Sequence, residues 1–259
     1  MPESLKSRYG LLRSLLIYRH PGRQRSLRRF YRPLIQPDDL VFDVGAHLGD
    51  RASAFAGLGA RVVALEPQPR LFAWLERLTR RSGRVTCLPL ALGAVPGRLS
   101  LSGSRANPTV ASLSASWRDQ VRQARTGFDK VDWDEAVTVE VTTLDALIDR
   151  FGVPAFCKID VEGFEAEVLA GLSRPLASLS LEFVQGALDR ARECVDRLHS
   201  LAPYRYQVVA GEQRYFLFDD WVDARSIDQW LLAGAGGLAS GDLYARRVPE
   251  AESTADRVS

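Results

Sequence analysis

The sequence predicts a doubly wound α/β domain, and three observations carry that reading. From residue 40 onward, short apolar runs alternate with stretches of helical period, the pattern of a parallel sheet with helices between its strands. The first run, "DLVFDV", carries Asp43 near its end and opens into "GAHLGD", where Gly45 and Gly49 stand four apart. The second run, "RVVALEP", ends in Glu66, 21 residues beyond Gly45, the distance at which an acid on such a fold meets ribose hydroxyls.

Each element follows from its residues. "DRASAFAGLG" reads as a short helix closing on Gly59, and Pro67 stops the second strand. "PRLFAWLERLTRR" is a helix with Leu71, Trp74, Leu75 and Leu78 on its inner face, and "RVTCLPLALG" is a third strand. Residues 103–136 lose all period and read as a long loop, of the kind that binds ligand or closes over it. The alternating "VTVEVTT" restores order. It leads to the helix "LDALIDRFG", capped by Thr142 or Thr143 and ended by Gly152. "AFCKIDV", "FEAEVLAGL", "SLSLEFV" and "ALDRARECVDRLHSL" continue as strand, helix, strand, helix. "YRYQVVA", "RYFLF" and "DLYARR" are strand-like without a long helix between them, so at least one is expected to run antiparallel at or near a sheet edge.

These boundaries divide the chain into a basic N-terminal helical segment, 1–36, a main domain, 37–248, containing the loop, and a polar tail, 249–259, expected to be disordered. The 259 residues are 46% hydrophobic and 25% charged, enough for one sizeable core. The 34 basic and 32 acidic residues nearly cancel, so no whole-protein field points to nucleic acid or membrane. The imbalance is local: between Met1 and Arg32, Glu3 is the single acid among many arginines. Leu11, Leu12, Leu15 and Leu16 give that segment an apolar face, expected to form a helix or two packing on the domain beside the acceptor site, with a membrane-surface or anionic-glycan role as the alternative. "LLRSLLIYRH" is too short and too charged for a signal peptide, and no 18 apolar residues run together. Cys87, Cys157 and Cys194 lack metal or disulfide spacing, so the chain is read as cytoplasmic with reduced thiols.

The opening turn decides the ligand. A nicotinamide fingerprint needs a glycine two residues after Gly45, where His47 stands, and Asp43 repels phosphate but suits a cationic amino-acid tail. A nucleoside carrying such a tail satisfies Asp43 and Glu66 together, which makes S-adenosylmethionine the cofactor candidate.

The chain here resembles the FkbM family of S-adenosylmethionine-dependent methyltransferases. The resemblance lies in "FDVGAHLGDRA", "VVALEPQP", "LALGAVPG" and, most distinctively, "KIDVEGFE" within residues 142–172. It implies a class I, Rossmann-like methyltransferase fold with a seven-stranded sheet and an antiparallel terminal strand, and O-methylation of a saccharide, glycoside or secondary metabolite. The cofactor site is then expected from Asp43, Gly45, Ala46, His47, Gly49, Glu66, Pro67, Ala91 and Asp160. Asp160, Glu162 and His47 are the candidates for a general base that takes the acceptor's proton. His47 departs from the asparagine more usual in the family. Asn107, Ser112, Trp117 and Glu182 are candidates for contact with the acceptor. Glu165 and Glu167 begin a helix, where acids complement its dipole, and Lys158 is expected to pair with an acid. Asp160 and Glu182 alone are too few for a metal centre, so none is expected. The alternatives are a nicotinamide-dependent oxidoreductase and a non-catalytic module on the same scaffold; a homo-oligomer is left open.

Overall fold

The computed structural model describes residues 20–104, 111–123 and 131–249. The leucines at 11–16 and the tail from 250 lie outside the described residues.

Helix α1 (Pro21–Tyr31) begins with proline at its first position, where no backbone donor is needed, and His20 Nδ1 accepts from Gly22 N at 3.2 Å. The core of the fold follows as β1 (Leu40–Val44), α2 (Asp50–Gly57), β2 (Arg61–Leu65), α3 (Pro69–Thr79) and β3 (Val85–Leu88). A second group comprises β4 (Ala91–Leu92), β5 (Gly97–Gly103), β6 (Ala111–Ser112), α4 (Ala115–Gln123) and β7 (Glu135–Thr142). The chain then returns through α5 (Leu144–Phe151), β8 (Phe156–Ile159), α6 (Glu165–Ala170), β9 (Ser178–Val184) and α7 (Leu188–Leu201). It finishes with β10 (Tyr204–Ala210), α8 (Ala224–Leu232) and β11 (Ser240–Arg247).

The main sheet has seven strands in the order β10-β11-β9-β8-β1-β2-β3. All neighbours pair in parallel except β11, which is antiparallel to both β9 and β10. The order and the reversed β11 match the seven-stranded sheet with an antiparallel terminal strand that the family resemblance implies. Along β1 the side chains part to opposite faces: Leu40, Phe42 and Val44 enter a core closed by α5 to α8, and Val41 one closed by α1 to α3. The chain leaves β1 toward β2 and returns on its other side as β8, so a crevice opens at the carboxyl ends of β1 and β8.

Several sequence expectations change. "RVTCLPLALG" is not one strand. Pro89 has no N–H to give a ladder, and beyond it β4 joins a second, four-stranded sheet, β4-β7-β5-β6. The expected loop 103–136 carries β6 and α4 among its described residues. "RYFLF" is no strand: Leu217 N reaches Val208 O at 2.8 Å, while the Gln207 side chain holds the carbonyls of Phe218 and Asp220, both at 2.8 Å. Helix α8, unforeseen, stands between β10 and β11, capped by Asp223, whose side chain accepts from Ser226 N at 2.8 Å. Thr143, of the two candidates, caps α5 by accepting from Ala146 N at 3.1 Å. Among the described residues no helix is long and apolar enough to cross a membrane.

Candidate active site

A cavity of about 270 Å³ lies in the crevice, with Asp43, Gly45, Ala46, His47, Glu66, Pro67, Ala91 and Asp160 all on its wall. The first loop turns through left-handed backbone at Gly45 (φ 77°), His47 (φ 54°) and Gly49 (φ 75°). A Cβ on Gly45 would strike the carbonyl of Asp160, so only glycine lets β1 and β8 emerge this close together. Gly49 differs from expectation. Its neighbours are the side chains of Leu75 and Thr79, so it seats α3 under the loop and does not line the cavity.

Glu66 is buried and accepts from His47 N (3.0 Å) and Gln68 N (2.9 Å), which fixes its carboxylate at the tip of β2. Burial raises its pKa to about 7 even though both N–H groups oppose the shift. Asp43, also buried, has one oxygen, Oδ2, with no hydrogen-bond partner; burial, offset in part by Lys158, brings its pKa to about 6. A buried carboxylate oxygen left without a donor at the wall of a cavity fits a ligand that brings a cation. Burial lowers His47 to about 4, so its imidazole is neutral.

The second acidic group stands across the crevice. Lys158, buried in β8, lies 3.0 Å from Asp160 Oδ2 and 3.3 Å from Asp242 Oδ1, as its expected role as an ion partner requires. Burial works to raise Asp160, but Lys158 and then Arg51 outweigh it and hold its pKa below the ordinary value. Glu162 and Glu182 go the other way, raised first by burial and then by the charge of Asp160. One oxygen from each of Asp160, Glu162 and Glu182 falls within 4.8 Å of the others. Like charges this close cannot all ionise, so the trio retains protons, and a hard divalent cation is the alternative that would neutralise it. The sequence placed two of these acids together; the turn brings in Glu162 as the third.

That turn is built by its neighbours. Glu162 itself sits at φ 53°, and Glu165 Oε1 accepts from Val161 N (3.0 Å) and Gly163 N (3.3 Å), a structural task as expected. Ser112 Oγ donates to the Glu162 carbonyl at 2.6 Å. Ser112 thus supports the site from behind and does not reach into it. Trp117 is 1% exposed, packed against Gly163, Val184 and Ala187, so it anchors α4 and is not presented to an acceptor. Asn107 lies outside the described residues. Sequence reasoning missed Arg51, Glu212 and Asp242 and the apolar lip of Leu101, Ala111 and Leu113. The helical start "DRA" and the polar "GEQ" carry no local signal of a shared cavity.

The profile of the methyltransferase FkbM domain matches residues 43–236. The chain is 31% identical over 154 residues to the hexuronic acid methyltransferase AglP of Haloferax volcanii, an alignment covering 58% of this chain and 56% of that protein. The chain thus spans about half the length of this relative. Among solved structures it is similar to a TehB-like S-adenosylmethionine-dependent methyltransferase of Corynebacterium glutamicum (TM-score 0.48, 10% identity, 94% and 98% of the two chains). It is also similar to an O-methyltransferase of Bacillus cereus (TM-score 0.44, 14% identity, 96% and 93%). The family match covers most of the chain and contains every motif that builds the crevice, and the chain therefore belongs to the FkbM family of S-adenosylmethionine-dependent methyltransferases.

Proposed function

We propose that this chain methylates a hydroxyl oxygen of a saccharide or glycoside. The observation that carries the reading is the juxtaposition, across one crevice, of a nucleoside-type pair, Asp43 and Glu66, with the acidic trio Asp160, Glu162 and Glu182. S-adenosylmethionine, when bound, supplies an electrophilic methyl. The chain's own residues orient the partners, exclude water and receive a proton. Glu66 suits ribose hydroxyls, and the open oxygen of Asp43 suits an ammonium. The hydroxyl proton passes to whichever of Glu162 and Glu182 is ionised, the raised pKa of each making it the stronger base once deprotonated. Asp160, held ionised by Lys158, is the poorer base and instead keeps Lys158 in place. A polar, acid-lined opening fits a polyhydroxylated acceptor, and the named substrate class of the relative in Haloferax volcanii supports a sugar. A cytoplasmic setting belongs to the same reading, supported by three free cysteines.

The test is transfer of isotope-labelled methyl from the cofactor into a panel of neutral sugars, hexuronic acids and their glycosides. Label in a methyl ether, stable to alkali, is expected. Label in an alkali-labile ester would place the methyl on a carboxylate and overturn the hydroxyl assignment. Cofactor binding with no transfer to any member would favour a non-catalytic module.

A further inference from the structure

The cavity has an unusual charge inventory. Seven carboxylates line it, and against them stands a single cationic side chain, Arg51, since His47 is neutral. Arg51 belongs to the first turn of α2, immediately beyond the cofactor loop, with its side chain 17% exposed. Its own ion pairs are loose: 3.6 Å to Asp50 Oδ2 and 3.5 Å to Glu212 Oε1. Both acids have closer partners. Arg23 lies 2.6 Å from Asp50 Oδ2 and 3.0 Å from Glu212 Oε2, and Arg214 lies 2.9 Å from Glu212 Oε2. Arg51 Nε is buried without any acceptor. A guanidinium with a free donor, weakly committed neighbours and a place on a cavity wall is arranged to receive an anion.

We propose that Arg51 binds the carboxylate of the cofactor's amino-acid tail, completing a zwitterion clamp whose other half is Asp43. The inference rests on the cofactor reading above. A tail with one positive and one negative end must place its anion where this cavity is not acidic, and Arg51 is the one such place on the described wall. An acceptor carboxylate is the less favoured source, because the acceptor side of the crevice is walled by Asp160, Glu162 and Glu182. Arg23 matters here as well. By drawing Asp50 and Glu212 to itself, it leaves Arg51 available, so α1, which precedes the family-matched region, conditions the clamp.

The experiment is calorimetric titration of the full chain, wild type, Arg51→Gln and Arg51→Lys, with S-adenosylhomocysteine and with 5′-methylthioadenosine. The second ligand keeps the nucleoside and sulfur but has no amino-acid tail. Arg51→Gln should weaken S-adenosylhomocysteine about ten- to a hundredfold, with Arg51→Lys between it and wild type, while 5′-methylthioadenosine binds all three within about twofold. Equal weakening of both ligands would reduce Arg51 to a structural role and overturn the proposal, as would unchanged S-adenosylhomocysteine affinity in a folded Arg51→Gln. If affinity is unchanged but the Michaelis constant rises for uronate acceptors alone, the carboxylate belongs to the acceptor and the cofactor assignment is wrong. A wild-type chain that binds neither ligand would remove the cofactor reading itself, a result distinct from any failure confined to the variants.

Discussion

Glu66 accepts from two backbone N–H groups at 3.0 and 2.9 Å, and burial raises its pKa, so its proton is the variable part of the cofactor site. Ribose hydroxyls donate to a carboxylate, and that form prevails only above its pKa of about 7. Affinity for S-adenosylhomocysteine should therefore rise as pH passes from 6 to 8, with Asp43, at about 6, contributing the earlier part. The fold responds in the opposite sense. Because the folded value lies above the ordinary 4.5, the ligand-free protein should lose stability as pH climbs from 4.5 through 7. Glu66→Gln should flatten the upper part of the binding profile and cost about 1–3 kcal/mol of affinity at pH 8, read by calorimetry. The acids across the crevice separate by a different measurement. Asp160→Asn leaves Lys158 with Asp242 alone and should lower unfolding free energy by about 1–3 kcal/mol in a urea titration. Glu162→Gln should leave stability within about 0.5 kcal/mol. Turnover in the same variant should fall about 10²- to 10⁴-fold at saturating cofactor.

At the scale of elements, what the sequence revealed and what it concealed follow from where the signal lies. β1, β2, β8 and β9 are buried on both faces, so they read as short, mostly apolar runs interrupted by single polar residues. β4 was hidden because Pro89 sits inside a run that looks continuous, and α4 because "ASWRDQVRQ" is polar but for Trp117 and Val121. Helix α8 was legible in principle, from the cap Asp223 and the pair Ile227 and Leu231 one turn apart. Its nine residues were masked by aromatic runs that mimic strands. The importance of α4 lies in its anchor. Gly163 has φ 86°, and a Cβ there would overlap the Trp117 indole. Gly163→Ala should cost about 2 kcal/mol or more and detach α4, seen as increased solvent quenching of Trp117 fluorescence. Ser112→Ala removes the 2.6 Å bond to the Glu162 carbonyl, and its stability loss should be about 1 kcal/mol. The larger effect should fall on kcat, since that bond fixes the turn bearing Glu162.

For the molecule as a whole, the motifs made the cofactor half of the crevice legible because Asp43, Gly45 and Glu66 lie on consecutive strands. The stretch "KIDVEGFE" made Asp160 and Glu162 legible as well, whereas Glu212, on the turn beyond β10, and Asp242, opposite Glu182 on β11, come from more than 140 residues beyond Glu66 with no local signal. The basic N-terminus proves to hold an integral helix. Leu27 and Tyr31 are buried among α2 and the sheet, and Tyr31 shares a hydrogen bond of 3.1 Å with Tyr244. Leu27→Ala should lower unfolding free energy by about 2–5 kcal/mol, as a core truncation does, with one cooperative transition preserved in denaturant.

The reversed strand β11 has a consequence for how the chain matures. β10 touches the main sheet only through β11, which wedges between it and β9. During synthesis β10 emerges with no strand of the main sheet to pair with, and the edge of β9 stays uncovered until Arg247 has emerged. The strand that closes the sheet is thus the last to be made. A nascent chain stalled before residue 240 should remain protease-sensitive across 204–232, whereas one released after 249 should become resistant in a single step, a difference that pulsed proteolysis of stalled ribosomes would record.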